Sequence, residues 1–261
     1  MLTSLQNPLL KQIRKLHQAK ERERVGWMLL EGPHLVEAAL QTGWPLVCTV
    51  STPTWASANS ARWEQLLVHS ERTEQVPEAL FPELVTTVNA PGILAIARQG
   101  DTLAPDLGRL PQRWVVLERV QDPGNLGTIL RTAAAVGVAG VVVSPDSIAP
   151  DHPKVLRATS GQWFRQPPRV TEVIPLLQQA QAQGFKTIGT TPADGISLWE
   201  APLTGPLMLI FGSEGQGLSA EVQALIQYPV RIPQQPGVES LNLAVSVAVL
   251  LYEVLRQQTV H

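Results

Sequence analysis

The sequence predicts an α/β protein in two parts, a small α/β module followed by a larger domain on a mostly parallel sheet. Three observations predict it. From residue 113 onward, short apolar runs of strand length alternate with helical stretches, as strands covered on both faces do. Residues 99–112 are rich in Gly, Pro and Asp and have no periodicity, so domains are expected at 1–98 and 113–261 with 99–112 as linker. Three glycine-containing loops fall at the C-terminal ends of second-domain strands, where open α/β sheets bind ligands.

Within residues 1–24, Lys11, Arg14, Lys15, Lys20, Arg22 and Arg24 face only Glu21 and Glu23, while Leu9, Ile13 and Leu16 recur at helical spacing. This basic amphipathic helix reads either as a solvated face or as a grip for phosphates. The formal net charge of −2 argues against indiscriminate coating of nucleic acid, which needs a strong cationic surplus. Pro33 opens a helix over His34–Gln41 that Gly43 closes, and Leu46–Val50 is a strand. The single cysteine, Cys48, lies in that apolar run and reads as a buried small hydrophobe. Leu84–Val88 and Ile93–Ala97 are expected as two strands around the turn Asn89-Ala90-Pro91-Gly92.

In the second domain, Trp114–Leu117, a helix over Thr128–Val136 and Gly140–Val143 form a βαβ unit. A helix near Val173–Gln183 and strands at Phe185–Gly189, Leu207–Phe211 and Tyr228–Ile232 continue the pattern. The last helix, Leu241–Gln257, is apolar nearly all round, which calls for a second subunit on the side that the sheet does not cover. No apolar run approaches the roughly 18 residues of a membrane span, and Lys11, Arg14 and Lys15 interrupt the N-terminal apolar positions, so the expected location is the cytoplasm. His17, His34, His69, His152 and His261 are scattered without ligand spacing, and no metal is expected.

The first candidate loop is Asp122-Pro123-Gly124-Asn125-Leu126-Gly127, with Arg131 one helical turn later. A glycine turn opening a helix suits an anion at the helix N-terminus, whereas Asn125, taken alone, reads first as the helix cap. Asp146 stands where a dinucleotide fold places its ribose-binding acid, but the third glycine of that fingerprint is missing, with Leu130 in its region. The second loop runs from Phe211 to Ser219 and holds Gly212, Gly215, Gly217 and the carboxylate Glu214. The third runs from Ile232 to Asn242 and carries Ser240. Ser219, Ser240 and Asn242 each read alone as helix caps.

Taken in order, these loops resemble the three motifs of the SpoU family of RNA ribose 2′-O-methyltransferases, in the SPOUT superfamily: Asn125, Gly127 and Arg131; Gly212, Glu214 and Gly217; and Ile232-Pro233 through Ser240-Leu241-Asn242. The motifs span about Trp114 to Arg256. More weakly, Glu31-Gly32-Pro33-His34-Leu35-Val36 and Gly92-Ile93-Leu94-Ala95 resemble the small RNA-binding domain that often precedes that domain. The third loop departs from the family where a glycine commonly follows Ile-Pro: here Pro236 stands in its place and Gly237 comes one residue later.

The resemblance implies a SPOUT domain whose C-terminal segment is tied into a deep trefoil knot, and a homodimer joined through the knotted domains. It implies S-adenosylmethionine as cofactor, with Gly212, Ile232 and Leu241 as backbone contacts and Thr190 and Thr191 beside the adenosine. Arg131 would position an RNA phosphate and stabilise the developing alkoxide, since an arginine is too weakly acidic to act as a base. Asn125 would orient that arrangement, while Glu214, Ser240 and Asn242 hold the loops and the ribose. Lys11, Arg14, Lys15, Arg22 and Arg24 would grip RNA, ribosomal RNA in preference to tRNA. Other readings are an inactive RNA-binding protein and, on the glycine turn alone, a nucleotide-dependent oxidoreductase. Since every proposed cofactor contact lies within Gln112–His261, that fragment alone is expected to bind the cofactor.

Overall fold

The computed structural model describes residues 1–100, 107, 112–191 and 194–259. Of the expected linker, residues 101–106 and 108–111 lie outside the described residues, as do Pro192, beside the expected adenosine loop, and His261. In chain order the elements are α1 (Pro8–Lys15), α2 (Ala19–Val25), β1 (Trp27–Glu31), α3 (Pro33–Gln41), β2 (Leu46–Ser51), α4 (Pro53–Ala58), α5 (Ser60–His69), β3 (Thr73–Gln75), β4 (Ile93–Arg98), β5 (Arg113–Leu117), α6 (Pro123–Val136), β6 (Gly140–Val143), α7 (Pro153–Ala158), β7 (Arg169–Val170), α8 (Val173–Ala182), β8 (Lys186–Thr190), β9 (Ile196–Ser197), β10 (Leu207–Phe211), α9 (Ala220–Gln223), β11 (Tyr228–Arg231) and α10 (Leu243–Thr259). They form two compact units: Met1–Asp101 with Ala149–Arg165, and Thr102–Ile148 with Gln166–His261.

The first unit is built on a four-stranded sheet in the order β1-β4-β2-β3, with β4 antiparallel to both β1 and β2. Leu10, Ile13 and Leu16 are buried in its core with Leu29, Val50 and Ile96. The expected single basic helix is two. α1 stops at Lys15, and α2 starts at Ala19 and ends on Gly26, whose φ of +67° suits a glycine cap. The break lets Arg22 turn inward. A second correction concerns Leu84–Val88, which is no strand. Phe81–Leu84 forms a 3-10 turn, and the Thr86 N–H and hydroxyl donate to the Glu31 carboxylate (3.1 and 2.9 Å) instead of to a neighbouring strand.

The segment Ala149–Arg165, expected inside the second domain, belongs to this unit. Its α7 packs on β1, and its turn at Gln162–Phe164 packs on α3. Trp163 and Phe164 meet Trp44 edge to face, with centroids 5.3 and 5.6 Å away. Two part-buried ion pairs tie the segment down. Arg22 donates to Asp151 from Nε (2.9 Å) and Nη2 (3.3 Å), and Arg157 Nη1 donates to Glu31 (2.7 Å), whose side chain is fully enclosed.

The second unit is a seven-stranded sheet in the order β7-β6-β5-β10-β8-β11-β9, every pairing parallel. Trp114, Val116, Val142, Met208 and Ile210 pack with Val173, Leu176, Leu177 and Ala180 of α8. α10 packs on α6. On α10, Leu243, Val247, Leu250, Leu251 and Val254 are buried while Val245 and Tyr252 are about half exposed, so the apolar surface does run beyond the covered face.

Candidate active site

Parallel pairing decides where the loops go. Phe211 of β10 stands opposite Leu117 of β5, Ile210 opposite Gly189 of β8, and Val230 of β11 opposite Thr190. The C-terminal ends of four strands therefore lie level on one edge of the sheet. The segments following them, from Glu118, Thr191, Gly212 and Ile232, leave from that edge together.

α6 begins five residues earlier than its periodicity suggests. Pro123 occupies its first turn, and the Asp122 carboxylate accepts the Asn125 N–H (2.7 Å), so Asp122 is the cap. Asn125 is thus released from capping, and its side chain joins the other two loops. Its Nδ2 donates to Glu214, and its Oδ1 accepts from Asn242 Nδ2 (2.9 Å). Asn242 in turn caps α10, its Oδ1 accepting the N–H groups of Ala244 (2.9 Å) and Val245 (3.3 Å). One continuous chain of side-chain hydrogen bonds links the three loops. Ser219 caps α9 through Val222 N–H (3.3 Å), as its sequence context suggests.

Gly212 is a position only glycine fills: a Cβ there would lie 2.1 Å from the carbonyl carbon of Gly217 and 2.3 Å from the Leu218 nitrogen. Ser213 and Gly217 close the loop into a small hairpin, Gly217 N–H donating to the Ser213 carbonyl (2.9 Å). Ile232, Leu241, Thr190 and Thr191 are half-buried around this edge, and the Thr191 N–H donates to the Val230 carbonyl (2.9 Å). The displaced glycine of the third loop takes the turn, Gly237 having φ +91°. Arg131 is exposed on α6, on the stripe of Gly124 and Thr128, two turns from the cap. Ser240 is exposed in the third loop, outside the hydrogen-bonded chain of Glu214, Asn125 and Asn242.

Two residues were missed by sequence reasoning. Glu118 and Arg119 follow β5 directly. Glu118 is buried and accepts the Ser219 N–H (2.8 Å), and Arg119 reaches the loop after β10. The available signal was a pair of opposite charges directly after the apolar run Trp114–Leu117.

In the first unit, Lys11, Arg14 and Lys15 are exposed on α1 and border a cavity of about 580 Å³ with His17, Gln18 and Thr86. Burial pushes the His17 imidazole below its ordinary range, partly opposed by Glu31 3.9 Å away. Arg24 is exposed but spans its own helix to Glu21 (2.6 Å), whose carboxyl is held down at about 2 by hydrogen bonds from Arg24 and Gln12. Arg22 must be struck from the expected RNA contacts. Its side chain is 1% exposed and spends its donors on Asp151 and on the carbonyls of Leu16 and His17, both at 3.2 Å. Among the described residues no cluster of three His, Cys, Asp or Glu side chains is placed to hold a metal.

A parallel sheet with glycine-cradled polar loops gathered at one strand-end edge defines a ligand-binding α/β protein of the kind that holds a nucleoside-containing cofactor. The chain belongs to the SpoU rRNA Methylase family, which residues 112–252 match, and residues 7–95 match the MRM3-like substrate binding domain. It is 44% identical to an uncharacterized tRNA/rRNA methyltransferase of Synechocystis over 98% of this chain and 94% of that one. It is 31% identical to the Bacillus subtilis 23S rRNA (guanosine(2553)-2′-O)-methyltransferase RlmP, over 96% and 97% of the two chains. Among solved structures, an AdoMet-bound rRNA methyltransferase from Sinorhizobium meliloti superposes with a TM-score of 0.87 at 29% identity, covering 98% of this chain and 97% of that one.

Proposed function

We propose that this protein transfers the methyl group of S-adenosylmethionine to a ribose 2′-hydroxyl of ribosomal RNA. The observation that carries the proposal is the side-chain chain from Glu214 through Asn125 to Asn242, which holds all three loops at one edge of the sheet. The residues present fit the cofactor. Gly212 lets backbone approach closely, Ile232 and Leu241 offer half-buried apolar surface, Thr190 and Thr191 offer hydroxyls, and Gln234 Oε1 is a buried acceptor with no hydrogen-bond partner. When bound, S-adenosylmethionine supplies an electrophilic methyl on a sulfonium sulfur. The protein's part is geometric: to hold the ribose oxygen in line and within near-attack distance, and to keep water out. Arg131 holds an RNA phosphate and stabilises the negative charge that develops on the ribose oxygen, whose proton is released to solvent as the methyl group is transferred and the thioether product departs.

The C-terminal segment is proposed to form the trefoil knot of the family's fold, and the part-exposed apolar face of α10, with Val245 and Tyr252, to be covered by a second copy. Light scattering that finds only monomer at micromolar concentration would remove the dimer. The setting is proposed to be the cytoplasm, and among the described residues no helix is long and apolar enough to cross a membrane. The function is tested by mapping 2′-O-methyl groups in ribosomal RNA and tRNA from cells with and without the gene. One ribosomal position should lose its methyl group, and an unchanged map of both RNAs would refute the activity.

Ribosomal RNA is proposed to lie on Lys11, Arg14 and Lys15. Replacing all three by glutamine should weaken RNA binding and flatten the slope of log affinity against log salt by about two to three units, one phosphate contact per cation. Cofactor affinity should not move. An unaltered slope would make α1 a solvated face and put RNA recognition elsewhere.

A further inference from the structure

We propose that Arg119 is a positioning residue for the cofactor loop, its guanidinium holding the hairpin Ser213–Gly217 folded over Gly212. This rests on the reading of that loop as part of the S-adenosylmethionine site. Arg119 has φ +57°, in the left-handed region that glycine enters freely and other residues rarely do. Its Nε is also buried without a hydrogen-bond partner. Two unfavourable features at one residue, at the strand-end edge where the loops gather, are what a site tolerates when the side chain does something that glycine could not.

The contacts show what that is. The Arg119 N–H donates to Ser144 Oγ (2.8 Å), at the end of β6, which sets the backbone in its strained state. The guanidinium then crosses to the loop after β10, donating from Nη1 to the Gln216 side-chain oxygen (3.3 Å) and from Nη2 to the Gly217 carbonyl (3.4 Å). Glu118, with its carboxylate 3.9 Å from Arg119 Nη2, accepts the Ser219 N–H at the exit of the same loop. Two consecutive residues at the end of β5 therefore hold the tip and the exit of the neighbouring loop. Within the loop, Gln216 N–H meets Ser213 Oγ (3.3 Å) and Gly217 N–H meets the Ser213 carbonyl (2.9 Å). Since Gly217 presses directly on Gly212, releasing the guanidinium loosens the backbone that is proposed to face the cofactor.

The variant Arg119→Gly separates this role from a structural one, because glycine relieves the strain while deleting the contacts. Its melting temperature should equal or exceed that of the parent. In the cofactor-free protein, the Gln216 and Gly217 amides should exchange about tenfold faster as the hairpin opens more often. S-adenosylmethionine should bind about three- to tenfold more weakly by calorimetry, the loss of two long charged hydrogen bonds. The loss should appear as a rise in the KM for S-adenosylmethionine, while the KM for RNA should not change. Arg119→Lys, which can reach one acceptor but not both, should fall between. Unchanged exchange and affinity in Arg119→Gly would overturn the proposal, as would an affinity loss that tracks a fall in melting temperature. Gly212→Ala is the companion variant and should abolish binding. If it binds normally, the loop is not a cofactor site and the inference falls with that reading, whereas failure of Arg119→Gly alone sinks only the role of Arg119.

Discussion

Replacing Arg131 by alanine is expected to lower methyl transfer by at least about a hundred- to a thousandfold, the usual cost of removing one preorganised charged donor from developing negative charge. Cofactor affinity should stay within about twofold, since Arg131 stands on the exposed stripe of α6, two turns from the cap, and none of the proposed cofactor contacts belongs to that stripe. Asn125→Ala should behave differently. It cuts the link between Glu214 and Asn242, so both turnover and cofactor affinity should fall. Because the three side chains act as one chain, Asn125→Ala and Asn242→Ala should be far from additive. Single-turnover rates with calorimetry on the same samples check this, and an Arg131→Ala enzyme near the parental rate would remove Arg131 from the mechanism.

The second large effect concerns the fragment Gln112–His261, which sequence reasoning expects to stand alone. It carries Ala149–Arg165 without the unit on which that segment packs. Val155, Leu156, Trp163 and Phe164, all buried in the whole chain, would lose their partners on β1 and α3 and beside Trp44. At roughly 1.5–3 kcal/mol for each large apolar side chain, the loss approaches the whole stability of an ordinary domain. Asp151 would also lose Arg22. The fragment should elute as aggregate in size-exclusion chromatography, and one with 149–165 replaced by a polar linker of equal length should stay dispersed. In the full chain, Arg22→Ala should cost about 1–3 kcal/mol in denaturant unfolding, because part-buried Asp151 keeps only the hydrogen bond from Gln99 Nε2 (2.6 Å). A dispersed, cofactor-binding wild-type fragment would contradict this account.

Local patterning alone determined much of this protein. Strand positions in the parallel sheet were legible because double burial writes them as continuous apolar runs, as in Leu207–Phe211 and Gly140–Val143. The three loops were legible because glycine and polar residues interrupt those runs at strand ends. What the sequence could not settle was which alternative a polar side chain takes, since capping and tertiary contact use the same donors and acceptors. Asn125 could cap a helix or bridge two loops, and only the placement of Asp122 as the cap decided it. Arg22 had the same standing as Lys11 in a count of charge. Its burial depends on Asp151, 129 residues away, which no local period reports. The same holds for Ala149–Arg165: its helix is written in its own residues, but the unit it belongs to is decided by long-range packing on β1 and α3.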